Sequence, residues 1–157
     1  MLPDATALDL GEIVGRLGAA TLCGLAPGAE REWRGKDAGL RTHTLVALSA
    51  AVITAAALSL YVVVRREGGD ADPLRVIQGL AQAIGFISAG TILVARRNVK
   101  NLTTAASLWF AASAGIVAGA GQFTLLAVAM GFGLAILVVL TLLRRLGLAR
   151  DEDREAG

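Results

Sequence analysis

The densest set of residues that could do chemistry lies in one short segment of the 157-residue chain, between positions 30 and 43. The candidate functional residues there are Glu30, Arg31, Arg34, Arg41, Thr42 and His43. Glu30 and Arg34 have the i,i+4 spacing and order of a stabilising helical ion pair, so the spacing predicts a helix that reaches this segment. Gly35 and Gly39 then favour a break and a tight return of the chain. The segment is either a functional surface or a solvated basic turn that only fixes the orientation of the chain.

Small and polar residues form a second candidate set farther along the chain. Its members are Gly85, Gly90, Asn101, Thr103, Thr104 and Trp109. Nearby, Gln78 and Gln82 share one helix face, since residues four apart are neighbours on a helix. Gly115 and Gly119 form a GxxxG pattern, which lets membrane helices pack closely. Two interpretations stay open for the polar residues: interhelical hydrogen bonds that hold the helices together, or a polar lining for something that binds or passes.

Isolated ionisable residues are a third kind of candidate. Arg16 interrupts the first apolar segment, and we expect it to snorkel to the membrane surface or to pair with Glu12, with a place inside the bundle as the alternative. His43 is the single histidine and cannot form a metal site alone, so capping or hydrogen bonding is favoured over proton relay. The sequence has no phosphate-binding glycine loop, no metal-ligand spacing and no nucleophile–base pair. We therefore expect no metal site, no cofactor and no enzymatic activity.

Membrane helices are the elements that must position these residues. Hydrophobic residues make up 55% of the chain and charged residues 18%, against roughly 45–50% and about 25% in ordinary soluble domains. The excess is concentrated, because positions 101–143 contain no charged side chain. A helix that crosses a bilayer needs about 20 apolar residues. The pattern predicts an all-α membrane protein, a five-span transmembrane helix bundle with spans at about 10–28, 43–64, 74–95, 102–119 and 123–143. Pro27 is expected to close the first span.

The positions of the basic residues predict the orientation of this bundle. If the spans alternate, eleven of the 15 Lys and Arg residues fall on one face and three on the other, with Arg16 left inside the first span. The basic face of a membrane protein is normally cytoplasmic. We therefore expect the N-terminus outside and the C-terminus in the cytoplasm, with residues 1–143 as a single transmembrane domain and 144–157 as a charged cytoplasmic tail. The net charge of +2 is too balanced to indicate nucleic-acid binding.

Three motifs in the same order resemble those of the MgtC/SapB family of bacterial inner-membrane proteins. Residues 24–48, GLAPGAEREWRGKDAGLRTHTLVAL, are similar to the family signature. Residues 82–90, QAIGFISAG, resemble its GIGFLGAG element, and residues 101–109, NLTTAASLW, resemble its GLTTAAxLW element. Pro27 and Ala29 depart from the first motif, and Ser88 and Asn101 replace glycines of the other two. The resemblance covers about residues 15–122 and implies a short type that lacks the family's cytoplasmic C-terminal domain.

The resemblance also implies a function. It places the chain as a multi-pass protein of the bacterial inner membrane, linked to growth at low magnesium and to virulence. Besides the lipid bilayer, it implies a membrane-protein partner, either a magnesium-transporting P-type ATPase or the rotary ATP synthase, and a homo-oligomer is left open. We expect a regulatory protein that acts through partner contacts. The alternative is a transporter or channel for Mg²⁺ or another small solute.

The residues themselves argue weakly against direct transport of Mg²⁺. This ion takes oxygen ligands and usually one or two carboxylates, but no Asp or Glu lies in the middle of a predicted span. The favoured functional surface is the segment at positions 30–43, together with the motifs of the third and fourth spans. We expect Glu30, Arg31 and Arg41 to converge with Thr103 and Thr104 at the cytoplasmic end.

Overall fold

Five α-helices and one short hairpin form the fold in a computed structural model, which describes residues 8–95 and 98–145. In chain order the elements are α1 (Leu10–Trp33), α2 (Leu40–Arg66), α3 (Leu74–Thr91), β1 (Leu93–Ala95), β2 (Asn98–Lys100), α4 (Leu102–Gly119) and α5 (Phe123–Arg145). The five predicted helices are thus confirmed, and the hairpin is an addition to the all-α prediction. Most of the predicted tail, from residue 146 onward, lies outside the described residues.

Small residues at every fourth position pack α1, α2 and α4 against one another. Residues four apart lie on the same face of a helix. The small residues on the three facing stripes are Ala20, Gly24 and Gly28 in α1, Ala47 and Ala51 in α2, and Ala111, Gly115 and Gly119 in α4. A Cβ added at Gly24 would lie 2.7 Å from Thr44 Cα, and one at Gly115 would overlap the carbonyl oxygen of Ala47. The backbones therefore touch, as the glycine spacing at 115 and 119 predicts.

The first helix extends beyond the predicted membrane span. It begins with a capping box, in which Asp9 Oδ1 accepts from the Glu12 backbone N–H at 2.7 Å and Glu12 Oε2 accepts from the Asp9 N–H at 3.3 Å. Proline was expected to close this span near residue 28, but α1 runs through Pro27 to Trp33. Pro27 is buried, and the next residue, Gly28, lies directly against the backbone of α2. Close packing of this kind lets a membrane helix tolerate the backbone hydrogen bond that proline removes.

The third helix is shorter than the sequence predicts. The span was expected to reach residue 95, but α3 ends at Thr91 and the backbone becomes extended at Ile92, with a ψ of 120°. The strands β1 and β2 then pair antiparallel, with Val94 opposite Val99. The β-branched residues Thr91, Ile92 and Val94 favour this extended backbone over a helix. The hairpin returns the chain directly to the start of α4.

The peripheral helices α3 and α5 complete the bundle, both packing chiefly on α4. Leu126 and Met130 of α5 close the buried core around Ala20, Ala51 and Ala118. Within the part of the chain that the structure describes, two helices, α2 and α4, are long and apolar enough to cross a membrane. The buried surfaces of the bundle are thus made mainly of alanine and glycine, as in closely packed membrane helices.

Candidate functional site

A buried arginine joins the first and third sequence motifs. Arg31 lies in the last turn of α1 and is only 4% exposed. Its Nη2 donates to Thr104 Oγ1 at 2.5 Å and to Thr103 Oγ1 at 3.3 Å, both in the first turn of α4. A cation taken out of water is costly unless it is hydrogen-bonded, and the two hydroxyls supply those bonds. The predicted convergence of Arg31 with the two threonines is confirmed.

A buried histidine extends this contact to the start of α2. His43 is fully buried; its Nδ1 lies 2.9 Å from the Gly39 carbonyl oxygen, and its Nε2 lies 2.9 Å from Ser107 Oγ. Ser107 Oγ in turn donates to the Thr104 carbonyl oxygen at 2.8 Å. Because a carbonyl only accepts, Nδ1 is the donor in its bond. His43 therefore has the predicted hydrogen-bonding role, and we call Arg31, His43, Thr103, Thr104 and Ser107 the arginine–threonine cluster.

An ion pair lies beside the cluster on the last turn of α1. Glu30 Oε1 pairs with Arg34 Nε, as the i,i+4 spacing predicts. The second oxygen, Glu30 Oε2, is buried and has no hydrogen-bond partner in the described part of the chain. A crevice of about 340 Å³ opens here between α1 and α5, lined by Glu30, Trp33, Arg34 and apolar side chains of α5. Charged side chains of α1 and apolar side chains of α5 therefore meet at this end of the bundle.

Two glycines shape the turn between α1 and α2. Gly35 has a φ of +64°, a conformation that glycine adopts at no steric cost. Gly39 caps α2 and has no side chain to offer, so Glu32 Oε2 accepts from the Leu40 backbone N–H instead, at 2.8 Å. Both helix breaks predicted at these glycines are confirmed. The turn brings the ends of α1 and α2 within reach of α4.

An asparagine in a left-handed conformation connects the hairpin to this turn. Asn101 has a φ of 68°, which asparagine tolerates better than other residues with a Cβ. Its Nδ2 donates to Asp37 Oδ2 at 2.9 Å and to the Thr91 carbonyl oxygen at 3.1 Å. The conformation explains how asparagine can stand where the resembling motif has glycine. The Asn101 side chain therefore donates to the carbonyl oxygen of the last residue of α3 and links that helix end to the α1–α2 turn.

Two other candidate residues, together with Trp33, lie on the surface around the cluster. Arg41 and Thr42 are exposed in the first turn of α2, and Trp33 is 85% exposed at the end of α1. The expectation that Arg41 would converge with the threonines is wrong. Arg41 precedes the buried His43 by two residues, which places it about 200° away around the helix. These side chains therefore lie outside the interior of the bundle.

The glycines of the third span differ in what they approach. A Cβ at Gly85 would lie 3.5 Å from the Trp109 ring, so these two candidates are brought together where α3 meets α4. A Cβ at Gly90 would meet nothing within 4 Å. Gly85 and Trp109 therefore form a packing contact, and Gly90 lies on an open face of α3.

Arg16 has a different partner from the one expected. Its Nη1 donates to the Gly119 carbonyl oxygen at 3.0 Å, at the last residue of α4. Glu12, the expected partner of Arg16, instead takes part in the capping box at the start of α1. A cation at a helix C-terminus is favourable because the unsatisfied carbonyls there carry partial negative charge. Arg16 thus closes the end of the bundle opposite the arginine–threonine cluster.

The chemistry available to the cluster is binding and positioning. Hydroxyls, an imidazole and a guanidinium hold three helix ends together through directional hydrogen bonds. Over the described ranges, no group of three or more His, Cys, Asp or Glu side chains is placed to hold a metal ion. The contact therefore fixes the geometry of the surrounding charged surface.

The candidate residues did not include three participants in this geometry. Ser107 is the hydrogen-bond partner of His43. The signal that Ser107 faces α2 is the spacing of four residues from Ser107 to Ala111 and from Ala111 to Gly115. Gly24 and Gly28 have the same spacing in α1, where Pro27 drew attention to a helix end instead. A search for small residues at every fourth position would have found both stripes.

Comparisons with known proteins give one consistent family. The sequence profile of the MgtC family matches residues 17–146. Over 108 residues the chain is 41% identical to the Escherichia coli protein named "Putative magnesium transporter YhiD", covering 68% of this chain and 50% of that protein. It is 41% identical over 105 residues to Protein MgtC of Salmonella typhimurium, covering 67% and 42%, and 43% identical over 122 residues to Protein MgtC of Brucella abortus, covering 76% and 48%.

The chain spans about half the length of the curated relatives that it matches. The matched range begins within α1 and runs through the last residue of α5, so it contains the arginine–threonine cluster. No solved structure matches the chain.

Proposed function

Because the chain belongs to the MgtC family, we propose that it is a multi-pass protein of the bacterial inner membrane that regulates other membrane proteins by direct contact. The proposal includes a link to magnesium homeostasis and virulence, and it assigns no enzymatic activity. The partners proposed are a magnesium-transporting P-type ATPase or the rotary ATP synthase. The observation that carries the proposal is the arginine–threonine cluster, which joins the first and third motifs at one end of the bundle.

The cluster supports a contact function because it fixes the surface around it. Three helix ends are held by buried hydrogen bonds, while Trp33, Arg41 and Lys100 are exposed at the same end. Tryptophan and arginine are the residues that most often dominate protein–protein contacts. A basic, aromatic surface held on rigid elements suits recognition of a second protein better than it suits the passage of a cation.

The packing of α1, α2 and α4 also favours regulation over transport by a single chain. The stripes of small residues bring these backbones so close that a Cβ at Gly119 would lie 2.8 Å from Ala51 Cα. No room for a hydrated ion remains between helices in such contact. Glu12 and Glu30 lie near opposite ends of α1, and eighteen residues of helix separate them by about 27 Å, too far to share an ion.

The proposed orientation has five spans, with the cluster on the cytoplasmic side. It is supported by the alternation of basic residues and by the arrangement of the helices, since α1 ends where α2 and α4 begin. Single cysteines at Lys36 and Asp70, in a Cys23→Ala background, test it. A membrane-impermeant maleimide added to intact spheroplasts should label Asp70→Cys and leave Lys36→Cys unlabelled until the membrane is permeabilised. The reverse pattern would contradict the orientation, and labelling of both would contradict the span count.

Two exposed arginines of α2 provide a matched test of the regulatory function. Arg41 lies at the cluster end of the helix and Arg66 at the other end, and both are exposed. In a bacterium lacking its own copy, Arg41→Ala should abolish restored growth at low magnesium and reduce co-purification of the ATPase or ATP synthase. Arg66→Ala should preserve both. If both variants behave like the wild type, the proposed contact surface is wrong.

The name of the YhiD relative favours one alternative, transport of Mg²⁺ or another small solute. Purified protein in proteoliposomes loaded with a Mg²⁺-sensitive dye separates the two functions. Selective flux that is lost in Glu30→Gln or Arg41→Ala would overturn the regulatory proposal. Absence of flux, together with partner co-purification from the same preparation, would remove the alternative.

A further inference from the structure

The space between the end of α1 and the last turns of α5 has one charged end and one apolar wall. Because α5 packs chiefly on α4, about 340 Å³ stays open between α5 and α1, and we call this space the α1–α5 crevice. Its volume is in the range of small-molecule sites, roughly 300–1,000 Å³. Glu30, Trp33 and Arg34 line it from one face of α1, since residues three and four apart are neighbours on a helix.

One atom at the charged end lacks a hydrogen-bond donor. Glu30 Oε1 pairs with Arg34 Nε, but Glu30 Oε2 is buried and accepts no hydrogen bond from any residue in the described ranges. A charged acceptor that is buried without a donor is costly. The Glu30 side chain as a whole is 21% exposed and lines the crevice, so a donor that enters the crevice can reach its carboxylate. A cation with N–H groups is the donor that a carboxylate binds most strongly.

The apolar wall of the crevice is a stripe along α5. Leu134, Val138 and Leu142 are spaced by four residues, so they lie on one face of the helix, and all three are exposed. The stripe is about 12 Å long at the rise of an α-helix. If α5 crosses the bilayer, as the proposed function has it, this stripe leads from the membrane surface into hydrocarbon. The crevice therefore suits a molecule with a charged head and a long apolar chain.

We propose that the α1–α5 crevice binds a phospholipid with an ethanolamine headgroup. The ammonium of the headgroup donates to Glu30, its phosphate binds the guanidinium of Arg34, and an acyl chain lies along the stripe on α5. Trp33 lies beside the headgroup, at the depth that tryptophan favours in membrane proteins. The site rests on the membrane location that the proposed function includes.

The charges of the crevice select this headgroup over two other common ones. A primary ammonium has three N–H donors, as in lysine, whereas the quaternary nitrogen of choline has none to offer Glu30. A glycerol headgroup has no cation, and the net negative charge of that lipid is repelled by the Glu30 carboxylate. A guanidinium has five N–H donors, so Arg34 can pair with Glu30 and bind a phosphate at the same time.

Trp33 reports on the crevice once the other tryptophan, Trp109, is changed to phenylalanine. The full chain with Trp109→Phe is reconstituted into phosphatidylcholine vesicles that contain a minor fraction of one guest lipid, brominated near the top of an acyl chain. Bromine quenches tryptophan fluorescence at short range, so a lipid held in the crevice quenches Trp33 beyond its share of the bilayer. We expect phosphatidylethanolamine to quench Trp33 at least twice as strongly as phosphatidylcholine or phosphatidylglycerol.

Two carboxylates of the same helix turn make a matched pair of variants. Glu30 lines the crevice, whereas Glu32 accepts from the Leu40 backbone N–H at the start of α2. Glu30→Gln and Glu32→Gln change the net charge equally, and glutamine keeps an oxygen for the bond to Leu40. Glu30→Gln should remove the preference for phosphatidylethanolamine, and Glu32→Gln should keep it.

Three results would overturn the lipid site. They are equal quenching of Trp33 by the three guest lipids, stronger quenching by phosphatidylglycerol, and the same response of the two glutamine variants. The membrane location is read separately from Trp109, which is 44% exposed on α4, in a Trp33→Phe chain in vesicles of brominated phosphatidylcholine alone. Absence of quenching there would contradict the proposed function as well. Quenching of Trp109 without selectivity at Trp33 would refute the lipid site alone.

Discussion

The contact between α2 and α4 allows a sharp prediction at Gly115. A Cβ at this position would overlap the Ala47 carbonyl oxygen and would lie 2.9 Å from both the Cα and the carbonyl carbon of Ala47. Carbon atoms in ordinary contact are about 3.5–4.0 Å apart, so the two backbones would have to separate by roughly 0.6 Å or more. Because the obstructing atoms belong to the backbone, no side-chain rotation relieves the overlap.

The size of the effect follows from the overlap and from a matched control. Overpacking a tight interface lowers the free energy of unfolding by about 1–3 kcal/mol. The upper part of that range applies because separating the helices at Gly115 also loosens the contact between Gly119 and Ala51. Gly131→Ala, in α5, adds the same methyl group where nothing lies within 4 Å. Both variants gain the same helix propensity, so their difference isolates the overpacking, about 2–3 kcal/mol. For a chain of this length that corresponds to roughly 4–12 °C in Tm.

The assay is thermal unfolding of the two purified variants in the same detergent. The measured quantity is the fraction of protein that stays monodisperse on size exclusion after heating to each temperature. Gly115→Ala should lose half of its folded fraction about 4–12 °C below Gly131→Ala. Gly131→Ala itself should match or slightly exceed the wild type. If Gly115→Ala melts at the same temperature as Gly131→Ala, the backbones of α2 and α4 are not in contact and the small-residue stripes do not organise the bundle.

Three further predictions concern the polar contacts, each checked by the same melting assay. Thr104→Val should cost about 1–3 kcal/mol, because it removes the short acceptor of a buried guanidinium; Thr103→Val, which removes a bond of 3.3 Å, should cost less. Asn101→Gly and Asn101→Ala both lose the two side-chain hydrogen bonds, and Asn101→Ala should be less stable than Asn101→Gly by about 1–2 kcal/mol, because alanine is strained at a φ of 68°; equal melting of the two would contradict the left-handed conformation. Arg16→Leu should cost about 1 kcal/mol by leaving the Gly119 carbonyl without its donor, and Arg16→Lys should recover part of that loss.

The helices of this chain were predictable because charge and apolar runs are local properties of the sequence. The start and end of α4 follow from the uncharged run after Lys100 and from the break at Gly121, which has a φ of +74°. Pro27 misled the prediction because its cost is local, whereas the packing that offsets it comes from α2. The hairpin after Thr91 was missed because the alternation of a three-residue strand is too short to distinguish from the end of a helix.

The candidate site was predictable only in part, for a related reason. The end of the bundle at which a residue lies follows from counting the predicted helices, and this was enough to bring Arg31 to Thr103 and Thr104. The direction of a side chain depends on where it falls around its helix, and Arg41 falls on the exposed side. The partner of Arg16 is 103 positions away in the sequence, and no local pattern indicates a contact with a backbone carbonyl at that separation.

The distribution of tight and loose contacts bears on what the bundle can do. A carrier that works by alternating access needs two packed arrangements of its helices, usually with one group rocking against another. Here α1, α2 and α4 pack through glycines at which an added Cβ would meet the backbone of a neighbouring helix. Hydrogen bonds of Arg16 and of Arg31 connect α1 to α4 at the two ends of the bundle. Rocking of these three helices against one another would break the contacts between their small-residue stripes along the whole length of the bundle. Any moving part of the described bundle would therefore be α3 or α5, which both pack chiefly on α4.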